Sequence, residues 1–248
     1  AKWDAFLIKS QKGSHLILSD WLKSYESYGF DYEIGIILDN NEIVGGFGVV
    51  IPKFLFFKFY IIPHGPVFKP GNEVHFEVLM QETKSRAKTL RCCYLQISVP
   101  VSSNKKIEAH TYKPGEIQFL TNHFKLGKLF SYVYCSYGIN WVDFKNYTNY
   151  EDFLAQLTPK VRRNVRMPYN KKAGPTLVKD ILLIKKGYHV IEENAKQANY
   201  SVRQFKEFKD TIHNLVNKDL GYFVNCDINN KVKASAFFVQ SGGYITNI

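Results

Sequence analysis

YEIGIILDNNEIVGGFGVV, residues 32–50, reads as two apolar strands joined at Asp39-Asn40-Asn41, and asparagine tolerates the positive φ that a tight hairpin turn demands. The plan recurs. Residues 222–239, YFVNCDINNKVKASAFFVQ, turn at Asn229-Asn230. Each hairpin is followed by another aromatic or β-branched strand, FLFFKFYII at 54–62 in one case and GYITNI at 243–248 in the other. A helix-like segment precedes each hairpin, about 19–28 and 201–216, and each opens on a serine, Ser19 or Ser201, suited to N-capping. Two copies, 190 residues apart, predict two versions of one α/β unit.

The first copy continues in a definite order. After Ile62 come PHGPVFKPG (63–71), an amphipathic helix over about 72–89, the strand CCYLQISV (92–99) and a helix near 115–124. Strands are expected at KLFSYVYC (128–135) and NWVDF (140–144). Helix, hairpin, strand, Gly/Pro loop, helix, strand, helix, strands is the order of the acyltransferase fold called GNAT. The expected class is α/β (α+β), with a first GNAT-like domain over 1–148, a basic connecting helical segment over 149–174 and part of a second GNAT-like domain over 175–248. The second domain is expected to be incomplete, because Ile248 directly follows a strand. The start at Ala1 rather than Met predicts an incomplete N-terminus as well.

With 248 residues, 45% of them hydrophobic, the chain can bury a substantial core. Its net charge of +11 points to an anionic partner: nucleic acid, a phosphorylated substrate or an acidic membrane surface. The charge is densest in LTPKVRRNVRMPYNKKAG, residues 157–174, where Arg162, Arg163 and Arg166 are spaced to share a helix face. Four cysteines, including the adjacent Cys92 and Cys93 in an apolar run, show no C-x-x-C pair or metal-ligand spacing. They read as reduced core residues of a cytoplasmic protein, and no metal is expected. His110, His123 and His213 share no spacing. Ser/His/Asp order, Gly-x-Ser-x-Gly and a Walker loop are all missing, which removes the usual hydrolase and NTPase readings. No apolar run reaches the length of a spanning helix, and the N-terminus has no signal-peptide layout.

Three stretches carry a more specific resemblance. YIIPHGPVF (60–68) resembles the Tyr-x-x-x-x-Gly-Pro-Val signature of the Fem family of peptidoglycan-bridge aminoacyltransferases. YLQISVP (94–100) lies where that family has a strand ending in Asp-Pro. VDFKNYTNYEDFLAQLTPKVRRNVRMPYNKKAG (142–174) is similar to the family's passage from a strand through a short helix into a Lys/Arg-rich helix. The resemblance implies a pair of GNAT-like domains that transfer an amino acid from aminoacyl-tRNA to an amine of a UDP-linked or lipid-linked muropeptide precursor. It places Tyr60, His64, Gly65 and Ser98 at the substrate, and Lys23 and Arg166 on the precursor's diphosphate, a task suited to a compact ammonium and a bidentate fork. Arg162, Arg163, Lys171 and Lys172 are the expected tRNA contacts, since neutralising a run of phosphates takes many cations. Peripheral membrane contact is a further expectation.

Two features qualify the carry-over. Ser98 stands where the family has an acid, and a hydroxyl does not accept an amine proton as a carboxylate does. The general base therefore stays unassigned, while alignment and a backbone oxyanion donor suffice in principle for aminolysis of an activated ester. Acetyl-CoA is disfavoured, because Pro63, Pro66 and Pro70 remove backbone donors where a pyrophosphate nest would stand, and Gln240-Ser241-Gly242-Gly243 fails the nest pattern at Ile245. No cofactor is expected. His64 reads as an exposed loop histidine that titrates near neutrality, able to act on the substrate amine or to line the cleft, with a passive loop residue the plainer reading. An N-acyltransferase acting on another sugar or amine, and a non-catalytic nucleic-acid-binding protein, remain as alternatives.

Overall fold

The computed structural model describes residues 2–127, 134–170 and 173–248. The chain forms two compact units, one of residues 1–137 with 239–246 and the other of 138–238 with 247–248.

In the first unit, α1 (Lys2–Lys9) and α2 (Ser19–Lys23) precede the hairpin of β1 (Asp31–Asp39) and β2 (Glu42–Ile51). Asn40 and Asn41 take φ of 47° and 64°, so the turn has the left-handed geometry that the Asn pair predicts. β3 (Lys53–Phe54), β4 (Phe57–Ile62) and β5 (Val67–Phe68) follow, then α3 (Phe76–Thr89), β6 (Tyr94–Ile97) and α4 (Gln118–Thr121). The sheet order is β1-β2-β4-β3, with β5 on β2 and β6 on β4. The β4/β6 pair is parallel, from Phe59 opposite Tyr94 to Ile62 opposite Ile97. Phe76, Leu79, Met80 and Ala87 recur at helical spacing on α3 and pack on Phe47, Val49 and Ile51 of β2 and Tyr60 and Ile62 of β4. That core fixes the ends of β4 and β6, where the candidate site lies.

Further along the chain, α5 (Tyr150–Gln156) and α6 (Pro159–Asn170) lead to β7 (Pro175–Val178), α7 (Ile181–Gln197), α8 (Phe205–Asn217), β8 (Gly221–Ile228) and β9 (Lys231–Ser241), which belong to the second unit as far as residue 238, and then to β10 (Tyr244–Asn247), which belongs to the first as far as residue 246. The sheet order is β10-β9-β8-β7. Asn229 and Asn230 repeat the left-handed turn at φ 52° and 61°. α7 lies close on β8 because residue 187 is glycine: a Cβ there would stand 2.0 Å from the Asn225 Oδ1 and 2.7 Å from the Phe223 ring. Asn225 donates to the Leu183 carbonyl at 3.0 Å and accepts from the Ser235 hydroxyl at 2.9 Å, which satisfies its buried amide.

Several local expectations are corrected. Ser19 does not cap α2; its backbone N–H and its hydroxyl both donate to the buried carboxylate of Asp4, reached from α1. Ser201 is likewise replaced by a capping box of Gln204 and Glu207. FLFFKFYII is not one strand, because it folds back at 55–56 between β3 and β4. In the connecting segment α5 and α6 are parted at Leu157-Thr158 by the restriction a proline at 159 places on the residue before it, and α6 runs on through Pro168. NWVDF forms no strand, and residues 128–133 of KLFSYVYC lie outside the described residues. Cys92, Cys93, Cys135 and Cys226 are free thiols, but none is fully buried in the core: Cys93 is exposed and the other three are half-buried.

Candidate functional site

Parallel strands that run side by side and then separate leave a crevice beyond their carboxyl ends, the usual place for a ligand in such sheets. Here β4 and β6 end side by side and stay hydrogen-bonded just past their last paired residues, Ile62 and Ile97. The Ser98 N–H donates to the Ile62 carbonyl at 3.0 Å, and the Gly65 N–H donates to the Ser98 carbonyl at 3.0 Å. Gly65 has φ 135°, a conformation that side chains rarely adopt, and is followed by a cis peptide to Pro66. The two segments singled out from the sequence, His64-Gly65 and Ser98, therefore meet at one strand end.

The turn between α1 and α2 organises this end through three consecutive carbonyls. Gln11 O accepts from His110 Nδ1 at 2.7 Å, Lys12 O accepts from His64 Nε2 at 3.0 Å, and Gly13 O accepts from the Tyr244 hydroxyl at 2.8 Å. Each donor comes from a different part of the unit. The Tyr112 hydroxyl donates to the Pro66 carbonyl at 3.2 Å, and its ring carries the Lys12 ammonium at 4.9 Å from the centroid. The PHGPV loop is thus held from three sides.

His64 is not the exposed, near-neutral group expected from the sequence. Burial lowers its pKa from 6.5 to about 4. Since a carbonyl only accepts, the ring is neutral with its proton on Nε2, facing Lys12. His15 is buried, its pKa lowered to about 3 by desolvation and then by the half-buried His64 nearby. Its ring stands edge-on to Trp21 at 4.8 Å, and its Nδ1 has no hydrogen-bond partner among the described residues.

Ser98 accepts a weak hydrogen bond from the Cys135 thiol at 3.4 Å. Nothing in this arrangement makes the hydroxyl a proton acceptor. For the acyl transfer that the sequence resemblance implies, Ser98→Ala is expected to slow the reaction far less than the roughly hundredfold that loss of a general base costs; steady-state kcat compared between the two proteins checks this.

The other expected site residues lie elsewhere. Tyr60 is 1% exposed, and its hydroxyl donates to Glu33 Oε2 at 3.1 Å. Glu33 also pairs with Arg86. Burial, followed by the Glu33 charge, holds the Tyr60 hydroxyl above its ordinary pKa. These three line a cavity of about 400 Å³ with Phe47, Leu79 and Glu82, a grouping that no motif in the sequence announces. Lys23 is exposed at the end of α2. His123 pairs with Glu77, and His213 accepts from Asn217.

In the second unit, Arg166 is exposed and pairs with Glu151. Arg162 turns back on α5: its Nε donates to Leu154 O at 3.0 Å, and one terminal nitrogen donates to Ala155 O at 2.8 Å and Leu157 O at 3.0 Å. It closes the open carbonyls of that helix end. Lys160 and Arg163 are exposed on α6. Lys171 and Lys172 lie outside the described residues. No group of three His, Cys, Asp or Glu side chains placed to hold a metal occurs among the described residues. None of the helices described is long and apolar enough to cross a membrane.

A family profile described as the FemAB family matches residues 1–218. Among solved structures, one described as the crystal structure of FemX matches with a TM-score of 0.67 at 16% sequence identity, over 92% of this chain and 56% of that one. The chain thus spans little more than half the length of that protein, and the likeness establishes the fold. A transcriptional regulator from Bacillus halodurans C-125 aligns at 17% identity over 48% of this chain and 80% of that one, with a TM-score of 0.29. No curated protein sequence matches the chain.

Proposed function

The chain belongs to the FemAB family, and from that premise we propose that it is an aminoacyltransferase, moving an amino acid from aminoacyl-tRNA to an amine of a UDP-linked or lipid-linked peptidoglycan precursor in the cytoplasm. The observation that carries the reading is the state of the backbone donors in the loop of residues 63–70. Pro63, Pro66 and Pro70 have no N–H, and the Gly65 and Lys69 N–H groups are spent on Ser98 O at 3.0 Å and Val44 O at 2.8 Å. A pyrophosphate nest needs such groups free and convergent. This argues for a donor held by many separate phosphate contacts, and tRNA fits the net charge of +11.

The chemistry asks little of the protein. Attack of the amine on the ester carbonyl forms the amide, releases the tRNA hydroxyl and needs a route for one proton. Alignment at the end of β4 and β6 supplies the main acceleration. The amino acid transferred and the proton acceptor are left unassigned.

A donor comparison on the full chain tests the proposal. Transfer of a labelled amino acid from charged tRNA to a muropeptide precursor is expected to saturate, with acetyl-CoA giving no acylation. Saturable acetylation of an amine with acetyl-CoA as sole donor would overturn the reading in favour of a general N-acyltransferase.

A further inference from the structure

The chain turns its hairpins at Asn40-Asn41, Asn229-Asn230 and Gly242-Gly243, residues that enter the left-handed region at little cost. Between β3 and β4 it turns at Leu55-Phe56 instead, with Leu55 at φ 53°. A γ-branched leucine gains nothing there as a turn former, and its left-handed backbone is strained. What these residues supply is apolar surface. Phe54, Leu55, Phe56 and Phe57 are 68%, 78%, 97% and 54% exposed, four consecutive large apolar side chains at the tip of a projecting hairpin.

The same end of the unit carries cations. Lys53 and Lys58 face each other across the hairpin, Lys53 also pairing with Asp31 at 2.6 Å. β6 runs parallel to β4, so its start lies beside the start of β4; the Cys93 N–H donates to Lys58 O at 2.9 Å. Lys88 and Arg91, at the close of α3 just before β6, are both exposed at this end. Exposed aromatic and aliphatic side chains ringed by Lys and Arg match a surface that is apolar below and anionic above.

We propose that the β3–β4 hairpin tip docks this protein on an anionic phospholipid bilayer, with Leu55 and Phe56 entering the acyl boundary and Lys53, Lys58, Lys88 and Arg91 facing the headgroups. Insertion is reversible and peripheral. Vesicle binding is read without any substrate, so its failure and a failure of the acyl-transfer reading are separate results.

The test uses sedimentation of the full chain with vesicles of phosphatidylcholine alone or containing phosphatidylglycerol. Leu55→Asn with Phe56→Asn installs the turn found at the other hairpins, so the variant is expected to keep or raise its Tm. It should lose vesicle affinity by on the order of a hundredfold, about tenfold for each side chain. Lys58→Glu should weaken binding to anionic vesicles by fivefold or more and leave binding to phosphatidylcholine almost unchanged. The Phe56→Trp variant should add the emission of an exposed indole in buffer, and that emission should shift to shorter wavelength with anionic vesicles. Equal vesicle binding by wild type and the double Asn variant would overturn the proposal. So would an added indole emission already blue-shifted without lipid in the Phe56→Trp variant, which would mean that protein covers the tip, or loss of a self-associated species in the double variant with vesicle binding intact.

Discussion

Replacing Lys160 and Arg163 together by glutamate is expected to lower transfer from aminoacyl-tRNA by on the order of a hundredfold and to flatten its salt dependence. Both side chains are exposed on α6, and each phosphate contact contributes about 0.7 to 0.9 to the slope of log K against log salt. Losing two contacts makes that slope shallower by roughly 1.4 to 1.8, and the added negative charge deepens the loss. Glutamate is a good helix former, and Lys160 lies in the first turn of α6, which begins at Pro159, where the helix dipole favours an anion. The variant should therefore fold. Arg162 makes an instructive contrast, because its guanidinium closes the end of α5 through three carbonyls. A loss of activity in Arg162→Ala would report on that helix end rather than on tRNA. Binding of a small phosphorylated acceptor should change much less than transfer in the Lys160/Arg163 variant. An unchanged salt slope, with KM for tRNA also unchanged, would remove α6 from the donor site.

What could be read from the sequence follows from the range of the interactions involved. The two Asn-Asn turns were legible because a positive φ is a demand made by two residues alone, and the core stripe of α3 because its spacing repeats locally. The caps were misread once a distant group could do better: Asp4 reaches Ser19 across 15 positions of sequence. The family resemblance put His64, Gly65 and Ser98 at the substrate, but nothing in the PHGPV motif showed that His64 would be drawn in from solvent. Its partner at Lys12 is 52 positions away, the neighbouring His110 contact spans 99, and the Tyr244 contact spans 231. Tyr60 reads as part of a substrate signature, yet on β4 it falls on the face that α3 covers, where burial and Glu33 claim its hydroxyl. Local pattern thus identified the elements and the loop. Which polar atoms remain free to meet a ligand depends on contacts formed only after those elements pack.

The desolvated histidines set the second large expectation, a loss of stability on mild acidification. His15 and His64 titrate at about 3 and about 4 in the folded protein, against 6.5 when solvated. The unfolded chain therefore binds more protons than the folded one once the pH drops below about 6.5. The sign follows directly: the stabilising contribution is complete above pH 6.5 and is lost progressively as the pH falls toward 4 and then 3. Each histidine adds up to about 1.4 kcal/mol of lost stability per pH unit, and the pair on the order of several kcal/mol by about pH 4. Ordinary carboxylates take up protons mainly near pH 4, so the interval from about 6.5 to 5 isolates the histidine contribution. Urea midpoints measured across that interval should fall steadily. His15→Phe places a ring of similar size against Trp21 without a titrating group, and should roughly halve the slope. Wild-type midpoints that stay level from about pH 6.5 to 5 would show that His64 and His15 are open to solvent, and the strand-end packing described for the PHGPV loop would be wrong with them.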